Sequence, residues 1–109
     1  MTTTGGLELS VLLAVARAGA EAYGLAIRRD LAERLHRDYS VGAIYTALDR
    51  LEAKGLVASR STEPMARRGG RSRRVFHVTD AGSRAIRDAR DAARSTWADV
   101  RDGVITEGS

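Results

Sequence analysis

Apolar residues crowd the first stretch of the chain. Leu7, Leu9, Val11, Leu12, Leu13, Ala14, Val15 and Ala16 are interrupted only by Glu8 and Ser10 before Arg17. This predicts a helix over residues 7–18, with Gly19 as its stop. Its apolar surface is wider than one buried stripe requires, so it needs cover on more than one side. A second helix is predicted over 23–36, where Ile27, Leu31 and Leu35 recur every four residues. A third follows over 41–54. Ser40 is its N-cap, Val41, Ile44, Leu48 and Leu51 form its inner face, and Gly55 ends it. The pattern then changes to alternation. Residues 56–62 and 73–79 read as two strands, with Phe76 and Val78 alternating against Val75 and His77. Between them lies a polar connection containing Pro64, Gly69 and Gly70, so a hairpin with a long tip is the economical reading. Thr79 caps a last helix from Asp80, whose apolar positions Ile86, Ala89, Ala93, Trp97, Val100 and Val104 keep helical spacing.

Charge singles out one part of this plan. Residues 60–74 hold six arginines (Arg60, Arg67, Arg68, Arg71, Arg73, Arg74) and one acid, Glu63, a net +5, whereas the whole chain is +4. Removing these from the totals of 18 basic and 14 acidic residues leaves 12 and 13, a nearly neutral remainder. A protein whose excess charge is gathered on one loop beside one helix is suited to a polyanion, and duplex DNA is the commonest.

The 109 residues fit one domain with a thin core, and self-association would supply further burial. No run reaches the roughly 18 apolar residues that span a bilayer. Residues 1–6 have neither the basic start nor the apolar centre of a signal peptide, and there are no cysteines for disulfides or thiolate metal sites. A cytoplasmic location, no membrane association and no cofactor are expected. His36 and His77 lie on different elements and do not suggest a metal site. No nucleophile with a base, paired carboxylates or phosphate-loop spacing stands out, so no catalytic residue is assigned. Five aromatics are too few for a base-stacking RNA platform.

Helix two, a short break, helix three and a hairpin occur in the order of a winged helix-turn-helix. The expected fold class is mainly α, an α+β winged helix: a three-helix core, a two-stranded β wing and a long C-terminal dimerisation helix. The expected organisation is a flexible tail (1–6), the winged helix-turn-helix (7–79), the dimerisation helix (80–105) and a second tail (106–109). Helix three would anchor through one face and show Gly42, Ala43, Tyr45, Thr46, Asp49 and Arg50 outward. Small Ala43 permits close approach. Thr46 suits a base edge or thymine methyl. Ser40, Tyr45 and Arg50 suit phosphates. Arg67, Arg68, Arg71, Arg73 and Arg74 of the wing would reach backbone or minor groove, with Gly69 and Gly70 allowing a tight turn.

The stretches YSVGAIYTALDRLEAKGLV (39–57) and GGRSRRVFHVTDAG (69–82), with Tyr23 and Gly24 before them, resemble the PadR-like transcriptional regulators. The resemblance spans about residues 7–104. It implies a cytoplasmic homodimer that usually represses transcription, with the first and last helices building the dimer. Many members carry Pro after the helix-three Tyr, where this chain has Thr46.

The last helix has no remaining partner in the chain for its apolar stripe. Leu7, Val11, Val15, Ile86, Ala93, Trp97 and Val104 are therefore the expected dimer interface. Pairing across a two-fold axis would set two copies of helix three about 34 Å apart, matching a palindromic operator. Trp97 reads first as a packing residue in that interface. Some PadR-like multidrug-binding regulators place a Trp at a similar point, which implies a second role as a platform for a planar apolar effector, lined by Leu9, Leu12 and Val100. The rival to DNA binding is a protein-interaction adaptor that keeps the winged-helix shape.

Overall fold

The computed structural model describes residues 5–62 and 73–100. Helix α1 (Gly6–Ala18) leads through a single 3-10 turn (Gly19–Glu21) to α2 (Gly24–Leu35) and α3 (Val41–Ala53). Strands β1 (Val57–Ser61) and β2 (Arg74–Val78) follow, then α4 (Asp80–Trp97).

Helix α1 is the centre of the molecule, touched by α2, α3, α4 and β2. Val11, Leu12, Ala14 and Val15 are at most 1% exposed as a result. This corrects the expectation that Val11 and Val15 belong to a dimer interface and that Leu12 lines an effector site. A side chain fully buried in one chain has no surface left for a partner. Leu7 and Leu9 remain partly exposed. Ile27 and Leu31 of α2, Ile44, Ala47, Leu48 and Leu51 of α3, and Val57 and Phe76 of the strands complete the core.

Two predicted core positions lie outside it. Leu35 is the last residue of α2, where the chain turns through His36 in the left-handed region (φ 53°), and its side chain is exposed. Val41 is the first residue of α3, ahead of its contact with the core, and is also exposed. Ala47 fills the stripe instead. The break between α2 and α3 runs over 36–40 and is held by Arg28, whose Nε donates to the Tyr39 carbonyl at 2.7 Å.

The strands pair antiparallel with Val57 opposite Val78 and Ser61 opposite Arg74. Val57, Ser59, Phe76 and Arg74 therefore share the face turned toward the core. The other edge of β2 is also covered: Tyr23 pairs with Val75, and the Phe76 amide donates to the Ala22 carbonyl at 2.8 Å.

Helix α4 is fastened at the root of the hairpin. The Thr79 amide donates to the Leu56 carbonyl at 3.1 Å, and the Thr79 hydroxyl donates to the Gly55 carbonyl at 2.6 Å. That same hydroxyl accepts the Gly82 amide at 3.0 Å, capping the helix. Gly82 is buried, and a Cβ there would stand 2.0 Å from the Leu56 oxygen and 2.8 Å from Val78 Cγ1. Ala85 and Ile86 pack on the core. From Arg90 to Val100 every residue is exposed, including Trp97 at 58%. The helix ends at Trp97, short of the stripe predicted to 104, because Ala98 leaves helical geometry and Asp99 has φ 69°. Val100 therefore lies past the helix, and Val104 lies outside the described residues.

Helices α1 and α2 are clamped by Asp30, which accepts from Arg17 and, one turn on at 3.2 Å, from Arg34. The Arg17 hydrogen bond holds the Asp30 carboxyl below its ordinary value of 3.8, against the opposing effect of desolvation.

Two outcomes follow from these contacts. Gly82→Ala should cost roughly 2–3 kcal/mol in denaturant unfolding, because the Leu56 carbonyl cannot retreat without releasing Thr79. Gly6→Ala, with open space around it, should be close to neutral. Asp30 is depressed in the folded state, so its contribution is complete above the unfolded pKa and is lost as pH falls through the folded value. Asp30→Asn should therefore cost about 0.5–1 kcal/mol at neutral pH, and the gap to the parent should narrow as the pH falls below 3.8 and close only below the lowered folded value.

Candidate nucleic-acid interface

Helix α3 is built to be rigid at both ends. The Ser40 hydroxyl accepts the Ala43 amide at 3.0 Å. At the other end the Leu56 amide donates to the Leu51 carbonyl and the Gly55 amide to the Glu52 carbonyl, each at 2.9 Å, with Gly55 at φ 76°. This closed C-terminal motif leaves the last turn no freedom to fray. With Ile44, Ala47, Leu48 and Leu51 inside, Gly42, Thr46, Asp49 and Arg50 stand exposed on the outer side.

Ala43 and Tyr45, expected outward as well, are half-buried. The Tyr45 ring occupies the space that a side chain at residue 24 would need: a Cβ built on Gly24 would lie 2.4 Å from its Oη. Tyr45 thus seats α3 on the start of α2, and a Gly–Tyr pair 21 residues apart gives no local signal of that fit. Ala43, Thr46 and Arg50 border a cleft of about 340 Å³ with Gly5, Leu7, Glu8 and Ala47. Glu8 sits across it, pairing with Lys54 and approaching Arg50 at 3.8 Å. An acid in the first turn of α1 therefore meets cations at the end of α3, both placed where helix dipoles favour them. The Arg50 side chain remains two-thirds exposed.

Of the wing arginines expected to meet DNA, Arg73 and Arg74 lie within the described residues and have different surroundings. Arg73 is exposed and lies over the Tyr23 ring, 4.4 Å from its centroid. Arg74 turns to the inner face. Its Nη2 is 2.8 Å from Glu52 Oε1 and its Nη1 is 3.4 Å from Asp49 Oδ1. Arg74 also donates to Ser59 Oγ at 3.3 Å and lies over Phe76, 4.9 Å from the ring centroid. The Ser59 hydroxyl in turn donates to Glu52 Oε2 at 2.7 Å. Asp49 was expected on the outward side of helix three but with no partner, and Glu52 and Ser59 were not candidates from the sequence. Their role depends on strand register, which the long connection hides. The hairpin is drawn together as far as Thr62 and Arg73 (amide to carbonyl, 2.8 Å). Arg67, Arg68 and Arg71 lie outside the described residues.

The structure brings Ala43, Tyr45, Thr46 and Arg50 onto α3 with Ser40 as its cap, and Arg74 onto β2 beside it with Arg73 immediately before that strand. Trp97 and Ala93 lie on the bare half of α4, apart from that helix. Among the described residues there is no group of three or more His, Asp or Glu placed to hold a metal, and no helix is long and apolar enough to cross a membrane.

Known proteins share this arrangement. The family model for the transcriptional regulator PadR-like family matches residues 12–88. A PadR family transcriptional regulator from Eggerthella lenta is 30% identical, with 92% of this chain and 85% of that chain covered and a TM-score of 0.62. RosR of H. salinarum is 26% identical over 90% of this chain and 81% of its own, with a TM-score of 0.68. Bacillus subtilis PadR, solved in complex with operator DNA, shares the fold at 23% identity and a TM-score of 0.64, over 75% of this chain and 45% of that one. A search of curated proteins gave no match. With most of its length covered by the family model, the chain belongs to the PadR-like family and is a transcriptional regulator with a winged helix-turn-helix fold, not an enzyme.

Proposed function

We propose that this regulator is a cytoplasmic repressor that binds a palindromic operator as a homodimer. The observation that carries the DNA-binding part is the exposed outer side of α3, held rigidly beside a wing into which the chain's charge excess is gathered. Thr46 is the base-reading residue, and Ala43 lets the helix approach. Ser40 keeps a hydroxyl proton to donate to phosphate beyond its capping role. Tyr45 anchors the helix with its ring and hydroxyl seated over Gly24, and any phosphate contact it makes is from that position. Arg50 and Arg73 are exposed cations beside the reading face, and Arg67, Arg68 and Arg71 extend the same charge along the wing.

The bare half of α4 supports the homodimer. Ala93 and Trp97 are exposed one turn apart, and Ile86 and Leu7 are partly exposed nearer the core. Trp97 against its counterpart, with Val100 three residues on and Leu9 as the expected further lining, would also accept a planar apolar effector.

Binding to a duplex should weaken steeply with salt, with a log–log slope near roughly −5 if about six phosphates are neutralised. Changing Arg67, Arg68 and Arg71 together to Ala should flatten that slope by about 3, while Thr46→Ala should change preference among sequences. An adaptor would show neither effect. Sedimentation at micromolar concentration should give a dimer, and Trp97→Ala should shift it toward monomer. A stable monomer in the unaltered protein rules the dimer out. Planar aromatic compounds should quench Trp97 fluorescence, and failure across a broad set counts against the effector site.

A further inference from the structure

We infer that Arg74 is a positioning residue that sets the wing's angle to α3 and does not contact phosphate, an assignment that rests on the DNA-binding reading above. One guanidinium here faces two carboxylates, Glu52 at 2.8 Å and Asp49 at 3.4 Å. The cluster is formally −1, so a phosphate arriving at Arg74 would meet more negative charge than positive. An arginine meant to grip the backbone would be poorly placed in such a setting. Arg73, one residue earlier, points to the opposite face of the strand and leans on Tyr23. Adjacent arginines with the same sequence signature thus take different tasks because a strand alternates its side chains.

The cluster's connectivity shows what it does. Asp49 and Glu52 come from α3, Ser59 from β1, and Arg74 from β2 with the Phe76 ring beneath it. Every strand of the wing is therefore tied to the helix that carries Thr46, one turn from Asp49. The apolar contacts of Val57 and Phe76 hold the wing's root but are not directional. The forked guanidinium is directional, because its planar donors satisfy separate acceptors at once. It fixes the angle of the two strands to the reading face, so that this part of the interface is set before a duplex binds. A lysine would keep the charge but not the fork.

The test uses the full chain and two probes: a duplex enriched from a random-sequence library by the unaltered protein, and a mixed-sequence duplex of the same length. Arg74→Gln should lower selectivity between them by about tenfold while leaving the salt slope within about half a unit. Arg74→Lys should lose selectivity as Arg74→Gln does. Glu52→Gln should match them, and the double variant should be no worse than either single one, as for partners in one bridge. A slope reduced by about one unit in Arg74→Gln, with affinity retained in Arg74→Lys, would identify a phosphate contact and overturn the assignment. Tighter binding of both duplexes by Glu52→Gln would overturn it too, since Glu52 would then only mask a cation. Unchanged selectivity in every variant has the same consequence. Thermal melts by circular dichroism accompany each variant. If Arg74→Gln does not fold, Arg74→Lys decides alone, with lost selectivity supporting the assignment and retained selectivity ending it. If the unaltered protein enriches no duplex, the DNA-binding reading itself fails and takes this one with it.

Discussion

The structure depends on how closely the first turn of α4 sits on the Leu56 carbonyl. Leu56 precedes β1 and Thr79 follows β2, so the hydrogen bond between them closes the wing at its root whatever its tip does. Gly82 lets the helix come down to that carbonyl, and the Thr79 hydroxyl holds Gly55 on one side and the Gly82 amide on the other. Gly55 is also the residue that ends α3. The helix that faces outward, the wing and the projecting helix therefore leave a single junction of a few residues. A helix rises about 1.5 Å per residue, so a small tilt at such a junction becomes a large displacement at the far end of α4. Rigidity at this one place gives the three parts a defined mutual geometry.

Ion pairs extend that rigidity across the elements. Asp30 joins α1 to α2, Glu8 joins α1 to the end of α3, and Glu52 with Asp49 joins α3 to the wing. Each is at least partly exposed, and singly such pairs contribute little. Their value is directional, because each spans two elements that apolar packing alone would allow to slide. Glu8, Asp30, Asp49 and Glu52 pair with cations that hold the fold, Arg74 among them, while the other five arginines of segment 60–74 share that segment with one acid, Glu63. One residue type serves both ends, so composition does not separate its two uses.

Much of the plan was legible because it obeys short-range rules. Ile44, Leu48 and Leu51 repeat at helical spacing, Ser40 and Thr79 are hydroxyl caps, and Gly55 is the left-handed stop; each acts where the sequence places it. Failures occurred where a residue's environment is set at a distance. Leu35 and Val41 continue their stripes but sit at element ends, where the helix no longer faces the core. Val11 and Val15 show that α1 is apolar nearly all round. Only the fold shows that β2 and α4 already cover it without a second subunit. Arg74 and Arg73 are identical in sequence terms. Their opposite roles follow from register, which a twelve-residue connection between strand ends does not reveal. The fit of Tyr45 to Gly24 is of the same kind.

The bare half of α4 raises a question of stability as well as of assembly. Eight helical residues beyond Ala89 have no covering side chains among the described residues, and their sequence, ARDAARSTW from Ala89 to Trp97, is only a moderate helix former. Isolated helices this short are marginal in water, and tertiary packing normally supplies what propensity does not. Propagation from the capped, packed first turns gives this segment a start that an isolated peptide lacks. Holding it fully helical would call for a cover on the side of Ala93 and Trp97. Under the proposed homodimer that cover is the partner's own α4, and forming the interface and completing the helix become one event. Under the same proposal, an effector at Trp97 would have a physical route to DNA. A ligand that altered the packing of the two α4 helices would change their direction at the Thr79–Gly82 junction. The same junction abuts the end of α3, so the separation of the two reading faces would change with it.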